Sequence, residues 1–252
     1  MRAREFVILQ ERRNRYAEKM FKAKMSKALE ETIAPLFELI KTDLNNANQR
    51  IDYVLKSDKI EEALKWLYID YGYRHFKWFS SVFKLKSQKD DFWQQQLAEL
   101  FAKFGADKVQ EIFGTTVELA KPAIKEALRL ANEGKSIPEI VKAIKSQIES
   151  VGGVISPGRL TTIARTEVIS ASNQASYMSV KASGAEVEKK WTTGGLNIRP
   201  THKAAELQGW IGIDEKFQVG AAQMLHPGDP SVKDHPEEVC NCKCILLYRV
   251  KD

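Results

Sequence analysis

At 252 residues, with 43% hydrophobic and 29% charged side chains, the chain can bury the core of one large domain or of two smaller ones. A net charge of +6 and a pI near 9.0 favour polyanionic partners, phosphates foremost. No apolar run reaches bilayer-spanning length, and the short apolar patch at residues 6–9 is followed by charges rather than a cleavage site. A protein made and kept in a cytoplasm is expected.

Residues 1–150 read as almost wholly helical. Phe6, Leu9, Tyr16, Met20, Leu29, Ile33, Leu36, Phe37 and Ile40 recur at helical steps and predict one buried face. Arg12, Arg13, Arg15, Lys19, Lys22, Lys24 and Lys27 crowd the same segment, and a solvated basic face is expected from them. Ser57-Asp58, Asp90-Asp91 and Ser136-x-x-Glu139 read as helix starts, and Gly105 as a helix stop. The aromatic concentration from Trp66 and Tyr68 through Phe76, Phe79 and Phe83 is expected to fill a helical core or a protein interface.

Val151-Gly152-Gly153 is the clearest break, because adjacent glycines resist both helix and strand. It divides the chain into a helical domain, 1–150, and a smaller domain, 155–252, expected to fold independently. Ser156-Pro157 reopens a helix, predicted to run to Ser183 with Gly184 as its stop. From residue 186 the texture turns to short strands broken by Gly194-Gly195, Pro200 and PGDP at 227–230. The predicted fold class is α+β: an N-terminal bundle of long helices, then one long helix packed on a mostly antiparallel sheet.

The last hundred residues also carry an ordered set of motifs. It runs Arg159, IARTEV at 163–168, Asn173, Trp191, Arg199 with His202, PGDP, and CNCKC at 240–244. In order and spacing this set resembles the Mu F-like head morphogenesis family of tailed bacteriophages, minor head proteins that associate with the portal. That family's pattern is an IARTE helix, a tryptophan, an R-x-x-H step and a closing N-C-R-C; here Lys243 stands in place of the arginine. The resemblance covers roughly residues 155–250. It implies that Arg159, Arg165, Thr166, Glu167, Asn173, Trp191, Arg199, His202, Asn241, Cys242 and Cys244 are family-motif residues. It further implies portal and other head proteins as partners, with double-stranded DNA bound non-specifically. The implied location is the virion head interior, after synthesis in the bacterial host cytoplasm.

The motif residues suggest limited chemistry of their own. Arg165 and Glu167 are two positions apart on a helix, about 200° of rotation, so they point to different sides and cannot work as one acid/base couple. Each is expected to pair with the sheet packed on the helix. All three cysteines fall between 240 and 244, too close together to staple a fold. On a strand they would share a face, the outer two about 13 Å apart. Buried reduced thiols are the expected state. The alternative is zinc shared by His202, Cys242, Cys244 and a fourth ligand such as His226 or His235, although C-x-C departs from the C-x2-C of common zinc modules. PGDP reads as a structural turn. The chain lacks a Walker A loop, a G-x-S-x-G elbow, an H-E-x-x-H helix and a dinucleotide fingerprint. A non-enzymatic protein is therefore expected, and a nucleic-acid-processing or toxin-like enzyme using Arg165, Glu167 and His202 is the alternative.

Overall fold

The computed structural model describes residues 3–85, 90–150, 152–195 and 197–251, without the side chains of residues 90 and 91. It is an α+β protein in which a long helical region precedes a smaller portion with one helix and antiparallel sheets. The helices are α1 (Ala3–Asp43), α2 (Ala47–Val54), α3 (Asp58–Lys65), α4 (Gly72–Phe83), α5 (Asp90–Asn132), α6 (Ile137–Glu149) and α7 (Pro157–Ser183). A π-helical stretch, Trp66–Tyr71, joins α3 to α4. There follow β1 (Val187–Thr192), α8 (Pro200–Leu207), β2 (Trp210–Gly212), β3 (Phe217–Val219), β4 (Ala222–Met224), α9 (Pro236–Val239) and β5 (Ile245–Val250). No helix of the described residues is long and apolar enough to cross a membrane.

Several boundaries fall where the sequence places them. The Ser136–Glu139 capping box opens α6, with the Glu139 carboxylate accepting from the Ser136 backbone N–H at 2.9 Å. Gly184, at φ +68°, ends α7. Val151 of the expected break lies outside the described residues, as do the side chains of the expected Asp90-Asp91 cap. Gly105 does not stop a helix: α5 runs on through it and through Pro122. One unfavourable residue costs about 1 kcal/mol in a helix interior, which the packing of a long helix outweighs.

The buried face of α1 is also shifted from the expected one. Tyr16 is 67% exposed and Met20 39%, whereas Gln10, Asn14, Ala17, Phe21 and Met25 turn inward. The true stripe keeps a helical period but accepts polar side chains near its start, where apolar spacing alone misplaces it.

Two compact units emerge. One comprises Met1–Phe21, Lys65–Phe104 and Thr162–Asp252; the other comprises Lys22–Leu64 and Gly105–Thr161. The units do not follow the boundary placed at Gly152-Gly153, because each draws on both halves of the chain. In the first unit Phe6 and Phe79 belong to the same core cluster as Ile169, Trp191, Phe217, Met224 and Leu246. The expected aromatic core is there: Tyr68, Tyr71, Phe76 and Phe79 are buried. In the second unit Ile33, Leu36 and Ile40 of α1 pack with Ile51, Ile124, Ile140, Ile144 and Ile148.

The sheet of the first unit is antiparallel in the order β2-β1-β5, with Trp191 opposite Leu246 and Lys189 opposite Tyr248. The strands β3 and β4 form a separate antiparallel pair. Alternation along β1 turns Val187, Lys189 and Trp191 inward.

Candidate functional site

The motif residues of α7 meet the turn that precedes β5. Asn241 takes φ +57°, a left-handed conformation that asparagine tolerates, so residues 240–244 form a turn rather than the expected strand. Its backbone N–H donates to Thr166 Oγ1 at 2.8 Å, and its side-chain oxygen accepts from Arg165. Two helical turns further along α7, the buried Asn173 donates to the carbonyls of Cys244 and Pro227 at 3.1 and 3.2 Å. It also accepts from the Leu246 N–H at 3.2 Å. Thr166, Ser170 and Asn173 are thus inward-facing. Arg199, just ahead of α8, donates to the Cys240 carbonyl. Beyond β1, Gly194 lies so close to this turn that a Cβ there would stand 2.4 Å from the Lys243 carbonyl oxygen.

Asn173 also secures the PGDP turn. Gly228, at φ +72°, lies against the α7 backbone, where an added Cβ would come within 2.9 Å of Ser170 Cα. Asp229 accepts from the Leu225 N–H at 2.8 Å, the Ser231 N–H at 2.9 Å and the Ser231 hydroxyl at 2.6 Å. Burial pushes its carboxyl up, but His226 and these donors outweigh that and hold it below the ordinary carboxylate range.

Cys242 and Cys244 turn into the core together with His202 of α8, and all three are buried. His202 Nδ1 stands 3.3 Å from Cys244 Sγ and 3.6 Å from Cys242 Sγ. His202 Nε2 is 3.1 Å from Glu238 Oε2, which also accepts from the Thr201 hydroxyl at 2.8 Å. The Cys244 backbone N–H donates to Cys242 Sγ at 3.3 Å. Trp191 meets the His202 ring edge to face, with centroids 5.4 Å apart. The hydrogen bond between the two thiols, and then burial, push Cys242 up; the same bond, aided by His202 and opposed by burial, holds Cys244 down. Cys240 is only half-buried.

His226 and His235 do not supply a fourth ligand. His226 lies 3.1 Å from the Pro227 carbonyl through Nδ1 and 2.7 Å from Gln174 Oε1 through Nε2, and His235 pairs with Glu237. Among the described residues, the group able to converge on one ion is His202, Cys242 and Cys244.

Arg165, Glu167 and His202 have separate neighbours. The buried Glu167 accepts from the Tyr68 hydroxyl, of the helical region, at 2.7 Å. Arg165 approaches Glu18 at 3.7 Å and lines a cleft of about 290 Å³ with Glu11, Arg15, Glu18 and Lys243. Arg159 falls in the other compact unit, where it donates to the Val154 and Ile112 carbonyls and to the Thr115 and Thr116 hydroxyls.

Three residues stand out that the sequence reading did not single out. Glu238 holds His202 from behind, but its role depends on the fold around α9 and has no local signature. Lys189 is fully buried, donates to the Leu225 carbonyl at 2.8 Å, and is pushed down to about 8 by burial. Its alternation with Val187 and Trp191 is the signal that could have found it. His75 is fully buried between Gln10, at 3.2 Å, and Ser176, at 3.1 Å, and is pushed down to about 3 by burial and the nearby Arg13.

A long helix latched by its own side chains onto a cysteine-bearing turn defines an α+β module, and comparison with known proteins finds a family that it resembles. Residues 123–247 match the family described as Phage Mu protein F like protein, so the resemblance holds for the C-terminal region and reaches upstream of the motif set. The chain is also 29% identical over 158 residues to Uncharacterized protein YqbB of Bacillus subtilis (strain 168). That match takes in 61% of this chain and 45% of that protein, so the chain spans under half of the relative's length. No solved structure matches.

Proposed function

We propose that this chain is a minor head protein of a tailed phage or prophage-derived particle, working in head morphogenesis. The observation that carries the reading is the Mu F-like match over residues 123–247, within which the motif side chains converge on the 240–246 turn. In this reading the protein joins the portal and other head proteins, sits inside the head, and assists assembly or the packaging and delivery of DNA. Exposed Arg12, Arg15 and Lys19 on α1 suit non-specific contact with the phosphates of packaged DNA. In this reading the role is architectural, which suits the hydrogen bonds of Arg165 to Asn241, Glu167 to Tyr68 and His202 to Glu238.

The test is co-expression with the portal protein of the same phage or prophage. Stable co-purification, and heads that assemble aberrantly when this polypeptide is missing, are expected. Normal heads without it, or no association with the portal, would overturn the proposal. Nuclease activity abolished by His202→Ala would favour the enzymatic alternative instead.

A further inference from the structure

We propose that His202 Nδ1, Cys242 Sγ and Cys244 Sγ bind one zinc ion, which ties α8 to the turn before β5. The three ligand atoms lie within 4.8 Å of one another in a buried group. Tetrahedral zinc with its usual bond lengths holds a nitrogen and a sulfur about 3.5 Å apart. The observed separations, 3.3 and 3.6 Å, lie on either side of that distance.

Glu238 accepts at Nε2, which fixes the proton there and leaves one lone pair on Nδ1. That single lone pair faces two sulfurs and can accept from only one thiol. A cation between them satisfies all three atoms at once. A carboxylate behind a ligating histidine is also the common supporting arrangement at zinc, because it orients the ring and raises its basicity.

Two N–H groups also border the trio. The Cys244 backbone N–H donates to Cys242 Sγ. The indole N–H of Trp191, whose ring meets His202 edge to face, is fully buried without an acceptor in bonding geometry. Zinc binding releases the thiol protons to solvent and leaves two anionic sulfurs on a dication, without any redox change. Three protein ligands leave the fourth tetrahedral position to water. Cys240, half-buried and outside the group, takes no part.

The experiment uses the full chain, purified under reducing conditions without chelator. About one zinc per chain is expected by elemental analysis, replaceable by cobalt to give the intense sulfur-to-cobalt charge-transfer absorption of a two-thiolate tetrahedral site. Cys242→Ser and Cys244→Ser should each lose the metal and reduce that band, and Cys240→Ser should retain both. Circular dichroism checks that each variant is folded. Glu238→Gln keeps the histidine and should weaken zinc affinity about 10- to 100-fold without abolishing binding. The proposal is overturned if reduced wild-type protein takes up neither zinc nor cobalt, or if Cys240→Ser loses metal as the other two do. A single free thiol in unreduced protein would overturn it as well, since it would mean a Cys242–Cys244 disulfide.

Discussion

Asn173 is the residue on which most of the candidate site depends. It makes three hydrogen bonds to backbone groups on two different loops, all of them buried. Asn173→Ala is expected to destabilise the protein by about 3 kcal/mol, because two carbonyls and an N–H lose their partner out of reach of water. Chemical denaturation checks this, and a loss below about 1 kcal/mol would mean that water re-enters the site. His75 makes a pH-dependent contribution. Its folded pKa, about 3, lies below the ordinary 6.5, so the unfolded chain takes a proton that the folded chain refuses. The associated stability is complete above about pH 6.5 and declines as pH falls toward the folded value. Between about pH 7 and pH 5 the loss is about 2 kcal/mol. Burial of His226 acts in the same direction. His75→Gln should remove the larger part of this acid sensitivity, and melting curves across that range would show whether it does. At this scale the site was half legible: the motif pattern included Thr166 and Asn173, and residue chemistry offered His202, Cys242 and Cys244 as one group, though only as the alternative to buried thiols. Glu238, His75 and the Tyr68 partner of Glu167 were not legible, because each contact joins residues many positions apart.

Elements were more legible where local chemistry sets them. The Ser136 capping box, the Ser156-Pro157 start and the Gly184 stop act through the nearest backbone groups, and each lies at an observed boundary. Gly105 misled because packing along α5 overrides one residue's preference. The cysteine run misled in the opposite sense: the apolar stretch after it extends as β5, but Asn241 turns the chain first. The PGDP turn gives an element-scale prediction. Gly228→Ala introduces a Cβ into a left-handed backbone and against Ser170 on α7. The expected loss is about 2 kcal/mol or more, readable as a fall in melting temperature, with Gly152→Ala as comparison: it has the same backbone sign but open space around it. Equal effects at the two positions would show that the close approach to α7 does not matter.

At the scale of the whole molecule, the α+β class followed from the change of texture after residue 186, but the grouping of segments did not. Nothing local in Phe6 or Phe79 says that they pack with Trp191 and Leu246. The isolated 155–252 segment should therefore fail to fold cooperatively, against the expectation drawn from its turn-rich sequence, because its core would lack both phenylalanines. Circular dichroism and a thermal melt of that fragment decide the matter; a sharp transition would restore the independent domain.

The discontinuous first unit also sets a timetable for the protein's birth. Phe6 leaves the ribosome well ahead of Ile245, which shares its core. At about 5–20 residues per second, synthesis of the stretch between them takes roughly 12–50 seconds. Throughout that interval the start of α1 has its apolar face made and its strands unmade. The second unit, whose segments are complete by Thr161, can form while the ribosome is still reading the Mu F-like motifs. The nascent chain thus passes through a long half-assembled stage, in which α1 is available to a chaperone or to another protein before it is available to its own sheet.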